Sequence, residues 1–345
     1  MASAPTPHPV PPAPPARGVE LIGSGVGLPP ARLTNADLER VMDTSDEWIR
    51  QRTGIAERPI VDPEVDSART LCARALASAI EDAGIEPGEI DMLLVASVSS
   101  EMVCPSTACR VAGDVGLGNA GAMDIVAACC GFVFGLNHAY ALIRSGACRT
   151  VAVIGCDVLS QFMEYTTEGR GTAIIFGDAA GAAIIRATDD MSKGVIAQSM
   201  HADGTRWADL YIPRRERDLP EDAEGFGRRL GLMHMNGRDV FRFAVKTFPD
   251  LIQETLDKAG LRAADISQFV CHQSNARILE AARERFGLDP DKLYVNIDRY
   301  GNTSAGSVPI CLHELREAGK INSGDLVMFV AFGGGLTWGS SLWRV

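Results

Sequence analysis

No apolar run in these 345 residues approaches the roughly 20 needed to span a bilayer, so no membrane-spanning helix is expected. The nine cysteines form no CxxC pair and no Cys/His spacing of a zinc site, so no metal centre is expected. Their odd number, scattered over so long a chain, argues against a disulfide framework and for a reducing, cytoplasmic setting. Positive charge is in deficit, with 33 Lys and Arg against 44 Asp and Glu and a formal charge of −11. Such a surface repels nucleic acid and anionic membrane as a whole, and an acidic partner needs a local basic patch. The first 17 residues hold seven prolines but neither the basic start nor the apolar stretch of a signal peptide. Residues 1–17 are expected to be a disordered or polyproline-like tail.

The remainder is ordinary globular sequence, 46% hydrophobic and 22% charged, long enough for two lobes of about 150 residues each. Nearly continuous apolar runs predict buried strands at 92–97, 123–128, 151–155, 269–272, 293–297 and 326–332. Helical patterns at 68–83, 132–145, 241–259 and 276–286 separate them, which indicates α/β layering. The chain also repeats itself: AIEDAGIEPGEIDMLLVA from Ala79 aligns without a gap to TLDKAGLRAADISQFVCH from Thr255. In both copies a helix ends at Ala-Gly and a turn leads into a strand. A duplicated chain would divide into halves at 18–190 and 191–345, with a cleft between them suited to a ligand.

Four segments could carry chemistry. In DIVAACCGF, Cys129 lies where a buried strand runs into an apolar helix, and free N–H groups there favour a thiolate. In FVCHQSNAR, His272 closes a strand, and Ser274 or Asn275 can cap the next helix. In DRYGNTSAGSVP, Asn302 sits in a turn that the repeat frame sets opposite Cys129. In AFGGGLTWGS, three glycines follow a strand and allow close backbone approach. Each segment has an ordinary structural reading: buried cysteines are commonly core, lone histidines commonly structural, and glycine runs commonly turns. Together, Cys129 can take an acyl group from a thioester, while His272 and Asn302 donate hydrogen bonds to a second thioester as enolate charge builds. No metal or organic cofactor is required for that chemistry.

These segments resemble β-ketoacyl-acyl-carrier-protein synthase III, the initiating condensing enzyme of dissociated fatty-acid synthesis. The resemblance extends to TNADLE at Thr34, DTSDEWI at Asp43, RTGI at Arg52, GRGTAIIFGD at Gly169 and HADG at His201. It implies a duplicated, five-layered αβαβα thiolase-like fold, a homodimer, and coenzyme A thioester as substrate rather than cofactor. It implies Cys129 as nucleophile, His272 and Asn302 as promoters of decarboxylation, and the N–H groups of Cys129 and Gly334 as an oxyanion hole. Trp48 and Arg170 match positions that sandwich the adenine of coenzyme A, and Arg52, Gly237, Phe241 and Asn275 match positions along its pantetheine arm or phosphates. Arg242, Arg277 and Arg285 match a basic face for malonyl-acyl carrier protein. Two departures stand out: Cys130, where alanine or serine is usual, and Cys104, where a bulky aromatic often closes the acyl pocket from across the dimer. Other outcomes stay open for the same trio: a papain-like thiol hydrolase, a non-catalytic partner subunit, or a relative that primes polyketide or quinolone synthesis or acylates an alcohol or amine.

Overall fold

A computed structural model describes residues 17–345, so the expected proline-rich tail lies outside the described residues apart from Arg17. The first sheet holds β1 (Gly18–Gly27), β2 (Met92–Ala96), β3 (Gly121–Ile125), β4 (Thr150–Asp157) and β5 (Ala179–Thr188), in the order β1-β5-β4-β2-β3. In it β2 runs parallel to β3 and β4, while β5 is antiparallel to both β4 and β1. The second sheet holds β6 (Gly194–Ala202), β7 (Gln268–Cys271), β8 (Leu326–Gly333) and β9 (Thr337–Arg344), in the order β7-β8-β9-β6. Here only β7 and β8 are parallel.

Six helices matter for the site: α1 (Asp46–Thr53), α2 (Ala68–Ala83), α3 (Gly131–Arg144), α4 (Gly237–Ala259), α5 (Ala276–Phe286) and α6 (Ser307–Glu317). Helix α2 covers the outer face of the first sheet, α4 and α5 cover the second, and α3 and α6 lie between the sheets. Helix, sheet, helix, sheet, helix is the five-layered arrangement the resemblance implies. The sequence explains the layers. Helix α2 starts at a Ser67–Thr70 capping box, stops at left-handed Gly84, and buries one stripe of Leu71, Cys72, Ala75, Leu76 and Ala79. Helix α3 has no comparable polar face and buries Phe132, Val133, Leu136, Ala139 and Ile143, as a middle-layer helix must. Each such Leu or Phe contributes about 1.5–3 kcal/mol when taken from water.

Two expected strands are corrected. The strand predicted at 293–297 does not form, and only Leu293 bridges to Phe269 of β7. Asn296 turns off the extended path at φ −136°, ψ 13°, where its N–H finds Gln273 Oε1 (3.0 Å) and its Nδ2 finds Glu314 (2.6 Å). Local side-chain partners thus outcompete ladder pairing. The strand predicted at 123–128 ends at Ile125, because Ala128 is forced to φ +45°.

Candidate active site

Two backbone kinks place the chemistry. Ala128 (φ +45°) and Ser304 (φ +51°) occupy the left-handed region that non-glycine residues seldom adopt, a strain usually kept for a reason. Each opens one 3-10 turn, Ala128–Cys130 before α3 and Ser304–Gly306 before α6. The counterpart of Cys129 is therefore Ala305, and the expected match to Asn302 is three residues out. The kinks meet at β4, where a Cβ on Gly155 would stand 2.0 Å from the Ala305 carbonyl oxygen. Only glycine allows that approach.

Cys129 is 6% exposed and stands where two cavities meet. The larger, about 460 Å³, is walled by His272, Asn302, Phe241, Gly237, Asn275, Trp48 and Arg52. The smaller, about 310 Å³, is walled by Val98, Leu159, Phe162, Phe176, Leu210 and Met233. Cys130 lines neither; it packs into the core with Phe132 and Leu136. Gly333 presses against Cys129, since a Cβ there would lie 2.7 Å from the Cys129 nitrogen. The first of the three glycines thus serves the close seating of Cys129 and also lines the larger cavity.

Burial works against the readily formed thiolate expected at Cys129. Burial pushes the Cys129 thiol up to about 12, and Asp157 behind it adds to the rise. The Ser304 hydroxyl, donating to Sγ at 3.4 Å, and the N–H groups of Cys129 and Gly334 pull only part of the way back. Loss of water thus opposes the thiolate that the helix start favours. His272 ends β7, is 1% exposed, and is driven down to about 3 by burial, which leaves a neutral imidazole. Its Nδ1 lies 2.7 Å from Ser307 Oγ. Asn302 accepts the Ser304 N–H at Oδ1 (2.8 Å), while its Nδ2 has no hydrogen-bond partner among the described residues. That amide is free to serve a ligand in the cavity it lines.

The channel residues are placed less uniformly. Arg52 and Arg170 both stack on Trp48, with guanidinium carbons 4.5 Å and 5.3 Å from the ring centre. A planar ring between Trp48 and Arg170 would need about 7 Å, two contacts of ~3.5 Å each, more than the 5.3 Å that separates them. Asn275 caps α5 through the Arg277 N–H (2.9 Å) and ties to the Arg52 carbonyl (3.0 Å). Of the expected basic face, Arg242 is paired with Asp239 (3.0 Å) and Arg285 with Asp250 (2.9 Å). Arg277 lies over Phe241 instead (5.2 Å), on the cavity wall. Cys104 is exposed and lines neither cavity within this chain.

Sequence reasoning missed Asp157, Ser304, Ser307 and the smaller cavity. Asp157 is fully buried and accepts from the Val98 N–H (2.8 Å) and from Ser97 and Ser99 (3.2 Å each). An acid closing the otherwise unbroken apolar strand TVAVIGCD was a legible signal. The walls of the cavity had none, because they come from segments far apart in sequence, from Val98 to Gly334. Among the described residues no cluster of His, Cys, Asp or Glu is placed to hold a metal, and no helix is long and apolar enough to cross a membrane.

Comparison with known proteins gives concordant results. Residues 123–204 match the family model "3-Oxoacyl-[acyl-carrier-protein (ACP)] synthase III", and residues 256–345 match the model of its C-terminal part. A β-ketoacyl-[acyl-carrier-protein] synthase III of Caldanaerobacter subterraneus subsp. tengcongensis is 44% identical over 93% of this chain and 96% of its own. The crystal structure of 3-oxoacyl-[acyl-carrier-protein] synthase III from Aquifex aeolicus VF5 superposes with a TM-score of 0.87 at 38% identity, covering 95% of this chain and all of that one. The priming β-ketosynthase of the R1128 polyketide biosynthetic pathway gives 0.87 at 30% identity, over 97% of this chain and 98% of that one.

Proposed function

The chain belongs to the β-ketoacyl-acyl-carrier-protein synthase III family, and we propose that Cys129, His272 and Asn302 perform that family's reaction here. The protein is an acyltransferase that condenses an acyl-CoA with malonyl-acyl carrier protein, releases carbon dioxide, and so initiates fatty-acid synthesis.

Acyl-CoA enters by the larger cavity with its adenine end toward Trp48, Arg52 and Arg170 and its acyl chain passing Cys129 into the smaller cavity. Sγ attacks the thioester carbonyl, its proton passing on to the coenzyme A sulfur, and the Cys129 and Gly334 N–H groups hold the oxyanion. Collapse breaks the bond to coenzyme A, whose sulfur leaves as the thiol. Malonyl thioester then occupies the larger cavity. Its carboxylate leaves as carbon dioxide, and the bonding pair flows into an enolate whose oxygen His272 Nε2–H and Asn302 Nδ2–H steady. The enolate carbon attacks acyl-Cys129, and the sulfur regains a proton from solvent. A neutral imidazole suits a hydrogen-bond donor better than a base at this point.

The single observation that carries this assignment is Cys129 standing at the meeting of two cavities, with His272 and Asn302 on the wall of one. Mass spectrometry after exposure to a panel of acyl-CoAs should find the acyl mass on Cys129 and see it discharged by malonyl-acyl carrier protein. Rapid release of free acid would mean a hydrolase instead. The kinship to a priming polyketide ketosynthase favours a second outcome, the same chemistry with a polyketide carrier protein, which a carrier comparison in that assay separates.

A second copy of the chain completes the picture. Strand β3 is an edge strand with Met123 exposed on it and Val126 exposed just past its end, and Met102 and Val103 are exposed nearby in sequence. An apolar edge of this kind invites pairing with another copy. In such a dimer Cys104 would reach the partner's acyl cavity, and its small side chain would admit a longer or branched primer. Acetyl-CoA turnover far faster than that of four- to eight-carbon acyl-CoAs would overturn the last point. Nine free cysteines suit the reducing cytoplasm.

A further inference from the structure

Ser307 opens α6 two per cent exposed, with its hydroxyl at the back of the His272 ring. Three groups surround Ser307 Oγ: His272 Nδ1 at 2.7 Å, the Ser304 carbonyl oxygen at 2.9 Å and the Gln273 N–H at 3.4 Å. The last can only donate, so it takes an oxygen lone pair. The hydroxyl has one proton and two possible acceptors, and its choice sets the imidazole's own proton. If Ser307 donates to Nδ1, the neutral ring must carry its hydrogen on Nε2. If Ser307 donates to Ser304, the ring must donate back from Nδ1, and Nε2 then turns a lone pair toward the cavity.

These two states differ in what a malonyl thioester meets. Carbon–carbon cleavage sends two electrons onto the thioester oxygen, which needs a hydrogen-bond donor and is repelled by a lone pair. We propose that Ser307 is a positioning residue whose hydroxyl donates to Nδ1 of His272 and keeps the ring proton on Nε2, the nitrogen left to face the enolate. This rests on the assignment of His272 to the decarboxylation step. The Ser304 carbonyl is the built-in competitor: at 2.9 Å it can take the Ser307 proton in place of Nδ1, and as an acceptor beside His272 it favours a proton on the ring. Acylation of Cys129 uses different donors, the N–H groups of Cys129 and Gly334, so it is insensitive to this choice.

The test uses the full-length protein and two half-reactions. Ser307→Ala should lower kcat for carbon dioxide release from malonyl-acyl carrier protein by about 10–100-fold, the usual effect of removing a group that orients a reactive side chain, with KM little changed. Acylation by acyl-CoA, followed by mass spectrometry, should stay within about twofold, which also certifies the fold. Ser307→Thr, which keeps the hydroxyl, should restore most of the lost rate. Nitrogen-15 spectra of histidine-labelled protein, assigned with His272→Ala, should show Nε2 protonated in the wild type and a shift toward Nδ1–H in Ser307→Ala. A wild-type ring protonated on Nδ1 overturns the proposal, whether or not any variant folds. Equal loss of both half-reactions in Ser307→Ala overturns it too. Should His272→Ala decarboxylate normally, the underlying role of His272 is what fails, and the spectra still report on Ser307 independently.

Discussion

The two halves of the molecule use the same device to different ends. Four strands of each sheet follow one plan, β2-β4-β5-β1 in the first and β7-β8-β9-β6 in the second, with the same senses of pairing. The offset that carries Ala79 onto Thr255 also carries Ala128 onto Ser304, so the strained kinks coincide. In the first half the residue after the kink is Cys129, the proposed nucleophile. In the second it is Ala305, whose N–H faces Asp157 (3.4 Å) and whose carbonyl packs on Gly155. The second half instead contributes His272 at the place of Ala96, and Asn302 at the place of exposed Val126. The edge strands diverge as well. β3 is complete with an open apolar edge, whereas its counterpart shrinks to the Leu293 bridge so that the chain can turn and bring Asn302 inward. One half is built to present a sulfur and, as proposed, to meet a second copy; the other is built to present donors.

The sharpest way to break this contrast is at the kink itself. Cys129→Ser should abolish the acyl-enzyme and cut condensation by at least about a thousandfold, whereas Cys130→Ser, altering a core thiol, should acylate normally. An acyl mass that persists in Cys129→Ser would move the nucleophile and end the comparison. Next in size is the contact between the halves. Gly155→Ala should cost about 1–3 kcal/mol in chemical unfolding, because the added methyl collides with the Ala305 carbonyl. The matching position on β8 is already Ala331, so unchanged stability would mean that the kinks do not press on β4.

The remaining two predictions sharpen the contrast. A thiol held up to about 12 ionises more as pH rises, and below that pKa its thiolate fraction grows about tenfold per unit. Alkylation of Cys129 by iodoacetamide, read by mass, should therefore climb steadily from pH 7 to pH 9. A plateau by pH 8 would show that the helix N-terminus wins after all. His272, down at about 3, should add no inflection over that range. The smallest effect is expected on the donor side. Arg277→Glu should raise the KM for malonyl-acyl carrier protein by roughly three- to tenfold at low salt, less at high salt, and spare acylation. Equal loss with acyl-CoA would make Arg277 a wall of the cavity only.

Helix and strand positions were legible wherever one apolar period ran without local competition. Ala68–Ala83 and Ala276–Phe286 have the predicted limits because a capping side chain starts each and a left-handed glycine stops it. The segment at 293–297 was not legible: LYVNI reads as a buried strand, and nothing near it in sequence reveals that Gln273 and Glu314 will claim Asn296. Cys129, His272 and Asn302 could be named from motifs, but their protonation could not. A cysteine at a helix start reads as acidic until its burial is known, and the same burial that creates the site reverses the shift.

The sequence by itself determined the layers, the repeat and the family, because capping residues, apolar periods and short motifs act over a few neighbouring residues. Only the tertiary structure decided how burial bears on the sulfur, which cavities Cys129 faces while Cys130 packs into the core, and the partner of the His272 ring. Each of these depends on which distant segments exclude water or come within a hydrogen bond. Solvation and directional contact are properties of a place in the folded chain, and no stretch of sequence carries them alone.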